Sequence, residues 1–203
     1  MAGWVTASPW QPSRYDTAII SSRPVVVDAV GQHAGILRLT AGAALDITNG
    51  WLSVAHALEI GAGCTALVQA PGGLRVTNDV VNDGTLRLTG TAAFTAGGSF
   101  TNNGRLDIMA WSGPLPPGLV NNGVVLDRNA VRVDSAVVSG EDFRLTIHGY
   151  AGHRYQLQHR NNLLDGVWED IGLPVAGAEA PITLTHLGGA TTSLRIYRVA
   201  LDP

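Results

Sequence analysis

Three acidic residues have the type and spacing that a polysaccharide-cleaving site would use. Asp46, Asp107 and Asp127 each follow a leucine in a short apolar segment, and each falls in a different segment. Paired carboxylates across a groove carry out glycoside cleavage, and a column of carboxylates can also bind calcium. The same strand faces carry arginines at Arg38, Arg87 and Arg105. We therefore favour the simpler interpretation, in which the acids are solvated strand residues with counter-charges beside them.

A second acidic pair, Asp79 and Asp83, flanks a turn and is a candidate for calcium, because hard cations take oxygen ligands. The chain lacks a dense Asp-x-Asp run and the Gly-Gly-x-Gly-x-Asp repeat that binds calcium in other solenoids. Turn formation by Asp side chains explains both residues without a metal.

Histidines are the next candidate ligands, and three of them, His148, His153 and His159, fall within twelve residues. Zinc sites usually use tighter pairs, two residues apart on a strand or four apart on a helix, and a closed site needs four ligands. A zinc site across the hairpin that joins these three stays open as an alternative. We predict surface or partly packed histidines and no metal site.

Nucleophilic and phosphate-binding motifs are absent from the sequence. It contains no Gly-x-Ser-x-Gly, and the Gly-x4-Gly-Lys-Ser/Thr loop is impossible because the chain has no lysine. The single cysteine, Cys64, follows Gly61-Ala62-Gly63, where we expect a buried and unreactive thiol. We assign no catalytic residue and predict no cofactor.

Exposed aromatic rings that stack on sugars are the remaining route to a ligand site. Trp111 lies in a Pro-rich loop, residues 110–118, and loops on rigid scaffolds often carry function. We name Trp111 and Tyr150 as ligand-binding candidates. An alternative for Trp111 is that it folds back to cover a seam between two domains. Trp168 is a third aromatic candidate, but we expect it in the core of the last domain.

The elements that must position these residues are set by a repeat. An apolar strand opened by Asn-x-Gly occurs three times, with its glycine at Gly84, Gly104 and Gly123, so the steps are 20 and 19 residues. A fixed period of this length, with one turn and one alternating strand in each unit, predicts a stacked β-solenoid. We expect Gly and Asn at the corners because they tolerate left-handed backbone, and we expect stacked Asn side chains to form a ladder.

The predicted fold is all-β, in three zones. Residues 1–23, rich in Trp and Pro, form an N-terminal cap; residues 24–128 form a short right-handed parallel β-helix of about five rungs, from their length and period. Residues 129–203 lack the Asn-Gly phrase and contain longer alternating strands, which predict a small C-terminal antiparallel β-sandwich that caps the solenoid.

Composition narrows the class of function. The net charge is −3 and all 13 basic residues are arginine, so the chain has no basic stripe for nucleic acid. No apolar run approaches the ~20 residues of a membrane helix, so we predict no membrane insertion. The first residues do not have the pattern of a secretory signal. We expect a fragment or mature form of an exported protein, located outside the cell or at its surface.

Two sets of motifs resemble known exported proteins. The opening Trp4-x5-Trp10 with Pro12 and Asp16-Thr17-Ala18-Ile19-Ile20, and the Asn-Asn-Gly-x-Leu-Asp-Ile phrase, resemble the solenoid repeats of bacterial surface and autotransporter-like passenger proteins. The C-terminal motifs resemble a small β-sandwich of large exported proteins of environmental bacteria: Phe143-x-Leu-Thr-Ile-x-Gly149, Gly152-x2-Tyr155-x-Leu-Gln158, Trp168 and Ile196-Tyr197-Arg198-Val199. The resemblance implies surface display and a role in adhesion, spacing or glycan contact, without a catalytic residue to carry over.

We therefore predict a non-enzymatic structural or adhesion-type module, a surface spacer or matrix component that self-associates through solenoid ends or edge strands. The alternative is a carbohydrate-binding module attached to a glycan-degrading protein, with extracellular polysaccharide as its partner. A weaker alternative is a polysaccharide lyase or hydrolase.

Overall fold

Parallel strands stacked at the repeat period make up the first of two compact units, Met1–Arg128 and Asn129–Pro203. The structure is a computed structural model, and it describes residues 12–162, 166–192 and 194–202. Residues 1–11 of the predicted N-terminal cap, residues 1–23, lie outside the described residues, so that part of the cap stays a prediction.

The first unit is a parallel β-solenoid of about six turns. Its strands are β1 Thr17–Ser21, β2 Pro24–Val27, β3 Gln32–Thr40, β4 Ala44–Ile47, β5 Trp51–Ile60, β6 Thr65–Gln69, β7 Gly73–Val76, β8 Asp79–Asn82, β9 Thr85–Thr89, β10 Ala93–Ala96, β11 Phe100–Asn102, β12 Arg105–Asp107, β13 Leu119–Asn121 and β14 Val124–Leu126. The expected count of about five was low because β1, inside the segment assigned to the cap, already pairs in parallel with β3.

Three columns of stacked strands form the sides of the solenoid. One sheet follows the order β1-β3-β5-β8-β11-β13, and the other follows β14-β12-β9-β6-β4-β2. The third column, β7 and β10, joins the first sheet because β5 is long enough to pair twice: Trp51–Val54 with β7, and Ala57–Ile60 with β8. The long strands β3 and β5 thus each span two columns, whereas the turns that follow contribute separate short strands, such as β7 and β8.

A single aliphatic core runs through the turns, as the alternation predicts. The inward residues Leu37, Leu39, Leu86, Leu88 and Leu106 are all 0–1% exposed, whereas the residues between them reach solvent. Successive leucines are aligned by the register, which places Leu86 opposite Leu106. The buried spine is therefore continuous from turn to turn.

The glycines of the three Asn-x-Gly corners are required by close packing and not, as predicted, by left-handed backbone. Gly84, Gly104 and Gly123 do not have left-handed backbone. Instead, a Cβ on Gly104 would collide with the carbonyl oxygen of Gly84, and a Cβ on Gly123 would collide with that of Gly104. The repeated glycine is thus explained by the close approach of stacked corners.

The second unit consists of two three-stranded antiparallel sheets. Its elements are the 3₁₀ helix η1 Arg128–Ala130 at the boundary and the strands β15 Val133–Ser139, β16 Asp142–Gly149, β17 Arg154–Arg160, β18 Glu169–Ala176, β19 Ala180–His186 and β20 Ile196–Asp202. The sheet orders are β15-β16-β19 and β18-β17-β20. Side chains of the two sheets meet, since the rings of Phe143 and Tyr197 stack with centroids 3.9 Å apart. The predicted alternation of Leu145 and Ile147 toward the core is confirmed.

Candidate functional site

Two ladders of polar side chains run along one corner of the solenoid. In the inner ladder Asn82 donates to Asn102 and Asn102 donates to Asn121, both at 2.6 Å, and Asn82 and Asn102 are fully buried. The outer ladder links Asn103 to Asp83 at 2.8 Å, and it continues from Asn122 to Asn103 at 2.9 Å. The predicted Asn ladder is confirmed. These amides bond one another and so stabilise the stack of turns.

The three acids considered for glycan cleavage do not form a pair. The register runs from Asp46 to Leu67, from Leu67 to Arg87 and from Arg87 to Asp107, so Asp46 and Asp107 share one column. Three strand spacings place them ~14 Å apart, whereas inverting glycosidases hold their carboxyl groups roughly 6.5–9.5 Å apart. Asp107 is buried and lies 3.7 Å from Arg87, and Asp127 follows β14, one position out of the column. The counter-charge interpretation fits Asp107.

The turn acids are likewise satisfied within the chain. Asp79 accepts hydrogen bonds from the Ser99 hydroxyl at 2.7 Å and from the Ser99 backbone N–H at 2.9 Å. These two bonds, the hydroxyl first, lower the pKa of Asp79. Because Asp83 accepts from Asn103 in the outer ladder, both acids act as acceptors between neighbouring turns of the solenoid.

Trp111 lies in the solenoid core. Its side chain is 5% exposed, and its indole N–H donates to the carbonyl of Ala92 at 2.8 Å. Its backbone forms a parallel bridge with Gly90, at the position where the last turn has a Pro-rich loop instead of a strand. The indole thus fills the core where that strand is missing. Little ring surface is left for a sugar, and the ligand role of Trp111 stays a prediction without support from its placement.

Tyr150, the other ligand candidate, belongs to the second unit, in the turn between β16 and β17. It is half-buried, its ring lies 4.8 Å from that of His148, and its backbone N–H donates to the hydroxyl of Tyr155 at 2.9 Å. Trp111 and Tyr150 thus lie in different units. The ligand role of Tyr150 is untested by this geometry and stays a prediction.

The histidines of the second unit are arranged differently from the hairpin site left open above. His153 is buried, and His159 stacks on His186 of the opposite sheet, with centroids 4.9 Å apart. Among the residues that the structure describes, no group of three or more His, Cys, Asp or Glu side chains could hold a metal ion. Cys64, also considered above, is buried as expected.

His186 is the centre of an inner histidine cluster, which comprises His159, His186, Arg195, Tyr197 and Glu169. Nη1 of Arg195 lies 3.4 Å from Nε2 of His186, and the hydroxyl of Tyr197 lies 3.1 Å from Nδ1. The same hydroxyl donates to the carbonyl of Gly189 at 3.1 Å. One neutral tautomer, protonated on Nδ1, satisfies all these contacts. Burial first, then the charges of Arg195 and His159, lower the pKa of His186.

A second cluster lies on the outer face of the β18-β17-β20 sheet, and we call it the Arg–Trp surface: Arg160, Trp168, Arg198, Gln158 and Asp170. The guanidinium carbons of Arg160 and Arg198 lie 4.6 Å and 4.3 Å from the centroid of the Trp168 ring. Arg198 donates to Gln158 at 2.7 Å, and Gln158 donates to Asp170 at 2.7 Å. Trp168 is only partly buried and holds two arginines, instead of lying in the sandwich core as expected.

Comparison with known proteins gives no relative. No family model, no curated protein and no solved structure matches this chain. None of the helical segments in the described residues has the length and apolarity needed to span a bilayer.

The Arg–Trp surface was missed by sequence reasoning because strand pairing assembles it. Strand alternation places Gln158 and Arg160 on one face of β17, but Arg198 joins them only because β20 pairs with β17 in the register that sets Arg198 opposite Gln158. One signal was available in the sequence. Trp168, which we expected in the core, is followed directly by the charged residues Glu169 and Asp170.

Proposed function

We propose that this protein is a non-enzymatic, exported module that acts as a spacer or matrix component at the cell surface. The observation that supports the proposal most directly is the continuous parallel solenoid with one aliphatic core from Leu37 to Leu106. Repeating turns that bury a common spine give a rigid element whose length scales with the number of turns. Rigidity and length are the properties that a spacer needs.

The acidic side chains of the solenoid support the same proposal, because they make contacts within the chain. Asp107 is countered by Arg87, and the side chains of Asp79 and Asp83 bond the next turn. Catalytic acids need a free carboxyl group that faces its substrate, and a matched partner at a fixed distance. In the described solenoid these acids are used between turns, as a structural role requires.

Weak self-association through the solenoid edges is part of the proposal. The strands β13 and β14 end their sheets, and an unpaired strand edge can add a strand from a second copy. Each of these two strands has only three residues, so a new pairing offers few hydrogen bonds. We expect light scattering to detect dimers only at high protein concentration. Tight oligomers in dilute solution would contradict this part of the proposal.

Surface labelling tests the proposed role. An antibody raised against the purified protein should label intact cells of the organism that encodes it, without permeabilisation. Labelling that appears only in permeabilised cells would contradict the proposal. In a parallel assay the protein should release no unsaturated product from uronic-acid polysaccharides. Turnover that is lost in the Asp107→Asn variant, together with retained folding, would establish an enzyme instead.

A further inference from the structure

We propose that the Arg–Trp surface binds the oxyanion groups, carboxylate or sulfate, of an acidic polysaccharide. The two arginines converge on one indole, with guanidinium carbons 4.6 Å and 4.3 Å from its ring centroid. A guanidinium stacked on an aromatic ring is held in plane and keeps its N–H edge free for a bidentate acceptor. The surface thus presents two cationic forks that are both held by one indole ring.

The charges of these arginines are not neutralised by an ion pair. Within the described ranges, neither Arg160 nor Arg198 has a carboxylate within salt-bridge distance. In the described part of the chain, Arg198 donates only its Nε, to Gln158, and the Nε of Arg160 is buried without a hydrogen-bond partner. A bound acceptor would meet the terminal N–H groups of Arg160, because its Nε is closed off from solvent. Two guanidinium groups with unused donors are suited to oxyanions.

The surface is also organised before any ligand binds. Asp170, Gln158 and Arg198 lie opposite one another on three adjacent strands, and two hydrogen bonds of 2.7 Å join them in a row. Side chains held on paired strands lose little freedom on binding. Asp170 adds one acceptor beside the two cations, and a carboxylate acceptor suits sugar hydroxyl groups. An acid group and a hydroxyl on one sugar unit match this combination.

The overall charge favours a polysaccharide over a nucleic acid. The chain carries a net charge of −3 and no lysine, so it would repel a polyanion as dense as nucleic acid outside the contact itself. A polysaccharide with one acid group per sugar or fewer places less charge against the rest of the surface than a nucleic-acid duplex, which carries one charge per ~1.7 Å of its axis. Trp168 serves in this proposal to hold the two arginines, and it is not the sugar platform expected of Trp111 or Tyr150.

Binding of the purified 203-residue chain to three polymers tests the proposal. Polygalacturonate supplies carboxylates, dextran sulfate supplies sulfates, and dextran is the neutral control. We expect affinity electrophoresis to show retardation by one or both charged polymers and none by dextran, with weaker retardation at higher salt. The more strongly retarding charged polymer identifies the group. Equal retardation by dextran, retardation by none of the three, or stronger binding to single-stranded DNA would overturn the proposal.

Matched variants tie binding to this surface. The double variant Arg160→Gln/Arg198→Gln should weaken binding by about tenfold or more, because two charge-assisted contacts are lost. The control Arg144→Gln removes a cation from β16, in the other sheet, and should change affinity by less than about twofold, as expected for long-range charge alone. If the first variant unfolds, Arg160→Lys/Arg198→Lys keeps both charges and should still weaken binding, because lysine has no planar fork. Equal losses in control and test variants, or unchanged binding in the lysine variant, would contradict the assignment.

The inference does not depend on surface display. Binding is measured on purified protein, whereas the proposed spacer role is tested by labelling of intact cells. A protein that labels at the surface but ignores acidic polymers refutes only the binding site. A protein that binds these polymers but is not displayed refutes only the spacer role.

Discussion

Removing one amide of the inner ladder tests how the solenoid turns are joined. Asn102 is fully buried; it accepts from Asn82 and donates to Asn121, both at 2.6 Å. Its neighbour Asn103 makes the equivalent contacts with Asp83 and Asn122 but is exposed to solvent. The variants Asn102→Ala and Asn103→Ala therefore remove the same residue type and the same number of ladder bonds, at different burial.

The expected difference follows from the groups left behind. In Asn102→Ala the carbonyl of Asn121 loses its donor, while the Asn82 amide keeps its bond to the carbonyl of Arg105 at 2.9 Å. The two ladder bonds are lost, together with the longer bonds from the Asn102 amide to the backbone carbonyls of Val124 at 3.3 Å and Gly104 at 3.5 Å. Their loss at a buried position reduces the free energy of unfolding by about 3 kcal/mol. In Asn103→Ala water replaces the lost partners, and the expected reduction is about 0.5 kcal/mol.

Hydrogen–deuterium exchange of solenoid peptides measures this difference without a contribution from the second unit. The opening free energy of peptides that cover β8 and β11 should fall much further in Asn102→Ala than in Asn103→Ala. Equal losses in the two variants would refute the reasoning that burial makes the inner ladder stabilising. An unchanged protein in both cases would show that the turns are held by apolar contacts alone.

Three further predictions concern single residues. Gly104→Ala should destabilise the solenoid by about 3 kcal/mol or more, since its Cβ would meet the Gly84 carbonyl oxygen; wild-type stability in urea unfolding would contradict this close-approach explanation. Trp111→Ala should lower the free energy of unfolding by about 3–5 kcal/mol in the same urea experiment, because a buried ring and its hydrogen bond to Ala92 are lost. A reduction below about 1 kcal/mol, as is usual at surface positions, would place Trp111 outside the core. His186 has a lowered pKa, so its stabilisation is present above the ordinary pKa of about 6.5 and is lost as pH falls toward the folded value. The second unit should therefore be less stable at pH 5 than at pH 8, and the His186→Gln variant should show a smaller difference; an equal difference in the variant would contradict it.

The solenoid could be predicted because its information is local and repeated. Three turns carry the same corner, with Asn and Gly at fixed positions, and each has inward apolar residues, as in Leu86 and Leu106. Neighbouring turns are also neighbours in the chain, so a period of 20 residues determines which strands pair. The count of turns was low because β1 lacks the Asn-Gly phrase, although its alternation of Ala18 and Ile20 toward the core matches the others.

The side-chain clusters of the second unit could not be predicted, because distant strands build them. His159 meets His186 across two sheets, and Arg198 meets Gln158 through a strand pairing 40 residues apart in sequence. Nothing local in the sequence distinguishes these histidines and arginines from those that join no cluster. The place of Trp111 in the solenoid core could not be predicted for a related reason: its loop looks like a surface excursion, and only the missing strand of the last turn explains why the ring is buried.

Cross-linking of cysteine pairs measures the stacking register of the solenoid directly. Thr85 and Arg105 are direct partners on adjacent turns, so the Thr85→Cys/Arg105→Cys variant should form a disulfide readily on mild oxidation. Arg87 is two positions out of register with Arg105, about 8 Å away, so the Arg87→Cys/Arg105→Cys variant should cross-link far more slowly. Faster cross-linking of the second pair would contradict the parallel, 20-residue stacking of the turns.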